Sequence, residues 1–338
     1  MEGERASPPL RLGVLDQSPV SEGSSGAEAL ANTLDLARLA DDLGYHRYWV
    51  AEHHGTPMLA GPSPEVLIGP IASATSRIRV GSGGVILHHY SPRKVAESFS
   101  VLSGLFGGRI DLGLGRGMSA DAITTFALQR DRREPAPDDF PAQLEELLAY
   151  LDGRPPPDPR FADLAALPGL PGRPEPWLLG SSLQSATWAG QLGLPYAFGD
   201  FINPEGAQMA RLYREFFAGS ERLTAPRLAV AVTAICADTD AEAERLAASS
   251  RVCSLVQRDG RSIPVPPVEK ALRYLASDTT PVSSARRRAI LGSPTTVRGG
   301  IERVAREYGA EEVIVVTITY SHEARRRSYE LLAEAFGR

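Results

Sequence analysis

The chain has 338 residues, 43% of them hydrophobic and 23% charged, with a formal net charge of −5. These proportions fit a folded globular protein and exclude a disordered one, and the acidic balance argues against a nucleic-acid surface or an anionic membrane surface, both of which need a concentrated basic face. No run approaches the ~18 apolar residues of a membrane span, Met1 to Leu10 lacks a secretory apolar core, and Cys236 and Cys253 show no C-x-x-C spacing, so the expected setting is reducing and cytoplasmic.

Strand-like and helix-like segments alternate from end to end, the pattern of a parallel sheet with helical crossovers. The expected strands are Leu12 to Asp16, Tyr48 to Glu52, Ile78 to Ser82, Ile110 to Leu114, Trp177 to Gly180, Tyr196 to Gly199, Leu228 to Ile235 and Val313 to Ile318. Eight such units indicate an α/β fold of the (β/α)8 TIM barrel type, with a doubly wound open sheet as the alternative.

Between the strands, Ser91-Pro92 reads as an N-cap with proline at the first helical position, and Val95, Phe99 and Leu102 follow at helical spacing. Asn203-Pro204 is expected to open a second helix with Met209, Leu212, Tyr213, Phe216 and Phe217 on its core face. Ser293-Pro294 opens a third, carrying Val297, Ile301 and Val304 and stopped by Gly309. The basic runs Arg286-Arg287-Arg288 and Arg325-Arg326-Arg327 read as solvated helix faces. The whole chain, 1–338, reads as one barrel domain with irregular insertions at 117–141, 153–176 and 257–288. The second of these is too rich in proline for continuous regular structure, and the third is a candidate lid on the expected active-site side.

In a barrel the chemistry sits where strands end, and the second strand ends in Glu52-His53-His54. A carboxylate and two imidazoles are costly to bury without partners or a task, so this cluster is a candidate site. Gly81-Ser82-Gly83-Gly84 lets the backbone approach something flat, or else makes a bulge or tight turn. Arg116, between Gly115 and Gly117, suits a phosphate or carboxylate, or a surface ion pair. Ser181-Ser182 falls at a helix N-terminus, where amides and positive potential favour a phosphate and where a plain N-cap is equally at home. His88-His89 with His53-His54 raises a metal centre. Barrel metallohydrolases carry H-x-H on the first strand, however, where this chain has Leu15-Asp16-Gln17, so no metal is expected.

Together these pieces resemble the bacterial luciferase-like flavin monooxygenase family. The resemblance rests on Leu15-Asp16-Gln17-Ser18-Pro19, Trp49 to His54, Arg79 to Val85, Gly108 to Gly117, Leu179 to Ser182 and Gly292-Ser293-Pro294. It implies a barrel that binds FMN at the strand C-termini, with reduced FMN (FMNH2) as the working form, and a homodimer packed through barrel helices. By position Gly83-Gly84 matches the segment against the isoalloxazine, where a non-prolyl cis peptide often occurs. Arg116, Ser181 and Ser182 match positions near the flavin phosphate. Glu52 and His53 match groups beside the reactive ring, His53 being the first choice for a catalytic residue. The implied chemistry is reaction of reduced FMN with O2 to a flavin hydroperoxide that oxygenates a small organic substrate, with His53 managing a proton. The family commonly receives reduced flavin from a separate reductase, and no NAD(P)-binding fingerprint is present here, so the resemblance implies a separate NAD(P)H-dependent flavin reductase as partner.

Two stretches, Met118 to Pro141 and Arg154 to Pro176, match no family pattern, which leaves the substrate pocket unread. The competing readings are a deazaflavin-dependent oxidoreductase on the same barrel, a non-catalytic flavin-binding subunit, and a metal-dependent hydrolase.

Overall fold

Among the described residues nine strands, β1 (Arg11–Asp16), β2 (Arg47–Val50), β3 (Arg79–Ile86), β4 (Ile110–Gly115), β5 (Glu175–Gly180), β6 (Tyr196–Gly199), β7 (Leu228–Cys236), β8 (Ala289–Gly292) and β9 (Glu312–Val316), pair in parallel. The computed structural model describes residues 9–117, 122–133, 138–164, 172–277 and 288–338. The hydrogen-bonded order runs β6-β5-β4-β3-β2-β1-β9-β7, and a β6–β7 pairing closes it into an eight-stranded barrel. All eight expected strands are barrel staves. The ninth, β8, was not foreseen: it pairs with the far end of β7 from Thr233 onward, where the pairing of β7 with β9 stops at Val316.

The helices are α1 (Gly26–Asp42), α2 (Pro64–Ala74), α3 (Pro92–Leu105), α4 (Ala122–Leu128), α5 (Phe140–Asp152), α6 (Leu183–Gln191), α7 (Ala207–Glu215), α8 (Asp240–Arg258), α9 (Val268–Ser277), α10 (Pro294–Tyr308) and α11 (His322–Ala335). As expected, Ser91 caps α3 by accepting from Lys94 N, and Gly309 ends α10 at φ 60°. The helices α4 and α9 fall inside two of the stretches read as irregular. Asn203-Pro204 does not begin α7. Asn203 instead makes a turn in which its side chain accepts from Glu205 N, and the helix starts at Ala207. Phe216, expected in the core, lies just past the end of α7 and is 42% exposed.

The interior is layered. At the N-terminal end of the barrel Arg47 is fully buried, its guanidinium bonded to Glu312 at 2.6 and 3.0 Å and to Asp111 at 2.6 Å. Asp111 also accepts from Trp49 Nε1 at 2.9 Å and from Arg79 Nε at 2.9 Å. Burial works against a charge on Arg47, but Asp111 and Glu312 outweigh it and hold the guanidinium firmly protonated. Strand-initial residues so placed point charge into the bore, where only mutual pairing makes burial tolerable. Above this plug lies an apolar floor that includes Leu15, Trp49, Trp177, Ala231, Ile314 and Val316.

The basic run in α11 also departs from expectation. Arg325 is only 2% exposed and reaches Asp16, at the end of β1, at 2.5 Å, while Arg326 and Arg327 pair nearer the surface with Asp35 and Asp238. Asp16 further binds the Tyr48 hydroxyl and Ser18 N, so a buried ionic clamp fixes the first strand end. Of the other run, Arg286 and Arg287 lie outside the described residues, and Arg288 pairs with Glu307 at 2.6 Å and Asp200 at 3.1 Å. Among the described residues no helix is long and apolar enough to cross a membrane.

Candidate active site

The C-terminal mouth of the barrel opens into a cavity of about 1670 Å³. Glu52, His53, Gly83, Gly84, Arg116, Ser181 and Ser182 all line it, although they come from the ends of four strands. The single-mouth convergence of strand ends in a barrel is what brings together residues separated by more than a hundred positions in sequence.

β2 ends at Val50, so Glu52 and His53 sit on the first turn of chain above the apolar floor. Glu52 is 5% exposed; its carboxylate accepts from Ile86 N at 2.9 Å and from the Tyr90 hydroxyl at 3.1 Å, and lies 2.7 Å from His54 Nε2. Burial raises its pKa, opposed by these donors. His53 is anchored through its backbone, N to Gly61 O at 3.0 Å, but its ring Nδ1 is buried without a hydrogen-bond partner. Burial, assisted by His54, lowers its pKa to about 4, so the ring is neutral near pH 7. His89 packs edge-on against His54 at 5.9 Å and against His88 at 4.8 Å, and burial with the nearby His88 likewise lowers its pKa to about 4. Among the described residues no group of three or more His, Cys, Asp or Glu side chains is arranged to hold a metal ion.

The Gly83–Gly84 peptide is cis, and the register of β3 against β4 shifts between Ser82 and Val85. A Cβ on Gly83 would lie 2.6 Å from Leu15 Cδ1, and one on Gly84 2.8 Å from Gly113 O. Only glycine fits there, so bare backbone forms this part of the wall. Across the mouth Arg116 is exposed, with Nη1 3.3 Å from Gln184 Oε1 and 3.8 Å from Asp138 Oδ1. Gln184 stands in the first turn of α6, so this guanidinium neighbours the helix N-terminus. Ser182 is the N-cap: its side chain accepts from Ser185 N while Ser185 Oγ accepts from Ser182 N, both at 3.3 Å. The Ser181 carbonyl accepts from Asn203 Nδ2 at 3.1 Å, and the Ser181 hydroxyl has no partner among the described residues.

Sequence reasoning named His54 in the cluster without giving it a role, and it missed Tyr90. Both hold the Glu52 carboxylate, His54 from two residues along and Tyr90 through a tertiary contact whose only hint was its adjacency to His88-His89. It also missed that one face of α8 lines the cavity with Arg251, Ser254 and Arg258. Their i, i+3, i+7 spacing was a usable signal.

A family model described as "Luciferase-like monooxygenase" matches residues 10–312. Two similar curated proteins are a luciferase-like monooxygenase of Escherichia coli strain K12, 39% identical over 95% of this chain and 96% of its own, and the N-acetyl-S-alkylcysteine monooxygenase of Bacillus subtilis strain 168, 37% identical over 96% and 98%. Among solved structures, apo-MsnO8 superposes with a TM-score of 0.89 at 42% identity, covering 98% of this chain and 99% of that one. At the level of fold alone, two further structures superpose. The oxygenating constituent of 3,6-diketocamphane monooxygenase from Pseudomonas putida, in complex with FMN, gives a TM-score of 0.72 at 21% identity over 97% and 98% of the chains. An F420-dependent secondary alcohol dehydrogenase gives 0.64 at 12% over 97% and 99%.

Proposed function

Because the chain belongs to the luciferase-like monooxygenase family, we propose that this enzyme uses reduced FMN and O2 to oxygenate a small organic substrate inside the barrel mouth. The observation that carries the reading is the unpartnered, buried Nδ1 of His53, which lines the same cavity as the bare Gly83-Gly84 wall and the cationic Arg116 corner.

The residues fit the cofactor. Arg116, the Ser181 hydroxyl and the Leu183 and Gln184 amides, which the first turn of α6 leaves without internal partners while Ser185 N is taken by the Ser182 cap, form a phosphate-binding corner. Gly83 and Gly84 offer a side-chain-free edge to a flat ring. Bound reduced FMN supplies the electrons with which O2 is activated. The protein's own contribution is positional and protonic. His53, neutral at pH 7, accepts a proton at Nδ1, while Glu52 ties the loop after β2 to Ile86 and Tyr90 and so holds the imidazole in place. Leu15, Trp49, Ile314 and Val316 keep water from the floor of the site.

In this proposal the reduced flavin comes from a separate NAD(P)H-dependent reductase, in a cytoplasmic setting. The enzyme works as a homodimer, supported by Val66 on α2 and Val101 and Leu105 on α3, which are 69%, 51% and 69% exposed. An F420-type deazaflavin is the rival cofactor. FMN is favoured because relatives covering the full length at 37–39% identity are named monooxygenases, whereas the F420 protein shares the fold alone.

The test is a titration of the purified protein with reduced FMN and with reduced F420, followed by an oxygen pulse. Tighter binding of FMN, with bound flavin reoxidising on a different time course from free flavin, is the expected result. Tighter binding of F420 overturns the proposal.

A further inference from the structure

α8 turns two faces in different directions. Ala248, Val252 and Val256 pack with Ala271 of α9, whereas Arg251, Ser254 and Arg258, one helical stripe, line the cavity with Ser250 and Gln257 beside them. These are hydrogen-bond donors in a chain of net charge −5. Arg251 is partly neutralised by Glu244, 2.5 Å away. The Arg258 guanidinium has no partner among the described residues.

The position of the stripe is fixed. Ser262, four residues beyond Arg258, bonds Thr56 at 2.6 Å, and Val265 exchanges backbone hydrogen bonds of 2.8 Å with Val20 and Glu22. The end of α8 is therefore tied to the loops after β1 and β2, the latter carrying His53. Arg116 and the α6 N-terminus belong instead to the ends of β4 and β5. In the barrel order β5-β4-β3-β2-β1-β9-β7 these are different sectors of the rim, so the cavity has two separate cationic corners.

We propose that the Arg251–Ser254–Arg258 stripe is the subsite for a carboxylate carried by the organic substrate, whose apolar remainder lies on the floor of Leu15, Trp49, Ile314 and Val316 and on the adjoining Ile318. Two guanidinium groups less the Glu244 carboxylate leave about one positive charge, which matches a carboxylate better than a dianionic phosphate ester. The planar fork of arginine with a serine hydroxyl between suits two carboxylate oxygens. This inference rests on the flavin reading only in that the Arg116 corner is assigned to the cofactor.

The test uses octanoate and octanamide as probes, with binding read from Trp49 and Trp188 fluorescence in protein saturated with FMN. Wild type is expected to prefer octanoate by about tenfold, equivalent to about 1.4 kcal/mol. Arg251→Ala/Arg258→Ala is expected to abolish that preference, and Arg258→Lys to keep part of it. FMN and riboflavin are titrated separately on the same proteins. Equal affinity of wild type for octanoate and octanamide, or a preference that survives the double substitution, overturns the subsite. So does a collapse of the FMN-over-riboflavin preference in the double variant, which would assign the stripe to the cofactor phosphate. Failure of wild type to bind FMN at all counts against the flavin reading instead, and the octanoate comparison, repeated without FMN, then decides the subsite by the same criteria.

Discussion

The Glu52 carboxylate lies 2.7 Å from the ring of His54, two residues along, and leaves the adjacent His53 ring with its Nδ1 buried and unsatisfied. A carboxylate on His53 would favour the imidazolium; here the charge partner is spent on the neighbour, and burial keeps His53 neutral. Nδ1 is thereby left buried without a partner, on a residue that lines the cavity.

Replacing His53 by Asn should therefore remove proton handling without removing the flavin. Product formed per reduced FMN is expected to fall on the order of a hundredfold, with the FMN dissociation constant within about threefold of wild type. Undiminished product formation would refute the role given to this ring.

The same burial has a pH signature. The folded-state pKa values of His53 and His89, about 4, lie below the ordinary imidazole value of 6.5. Their stabilising contribution is complete above pH 6.5 and is lost as the pH falls toward 4, because the unfolded chain binds protons there and the folded chain does not. Urea midpoints should decline across that window, and His53→Asn should make the decline shallower by up to one proton. A slope unchanged by the substitution would contradict the assignment.

Glu52→Ala strands the amide of Ile86 and the hydroxyl of Tyr90 and should cost about 1–3 kcal/mol in chemical denaturation. Glu52→Gln, whose amide oxygen still accepts from Ile86 N, should cost less. Equal losses for the two would show that the charge, not the acceptor, matters.

Arg47→Ala removes the hub of the buried plug and leaves Asp111 and Glu312 facing each other without their shared cation. A loss of about 3–5 kcal/mol is expected, with a changed near-ultraviolet circular dichroism signal. Trp49 and Trp177 pack against that guanidinium, at 5.1 and 4.5 Å from its carbon.

Two glycines give a paired control on backbone packing. A Cβ at Gly113 would lie 2.1 Å from Ser82 O, so Gly113→Ala should destabilise by at least about 2 kcal/mol. Gly107 has nothing within 4 Å of that position, and its alanine variant should lie within about 0.5 kcal/mol of wild type in the same melt.

The eight staves were legible because each is a short apolar run ending in glycine or polar residues, and the site's main members were legible because they follow those runs. What could not be read depends on distance in sequence. Arg325 looks like one of three equivalent surface arginines, and only the packing of α11 against β7 and α1 turns it onto Asp16, 309 residues away. Arg47 and Glu312 are 265 residues apart, and no local period links them. β8 is four residues long and follows a stretch without clear periodicity, so it had no pattern to distinguish it from a loop. Asn203 carries the side chain of a helix cap, but its oxygen is satisfied by Glu205 N in a turn.

Arg47 and its surrounding carboxylates cork the barrel from beneath, which makes the cavity a cul-de-sac. Under the proposed function, flavin, oxygen, reactant and product would share one doorway, and a bulky reactant seated near the rim would bar later traffic. The proposal then carries an order, reduced flavin entering first and oxidised flavin leaving last, a queue set by shape before any difference in affinity is considered.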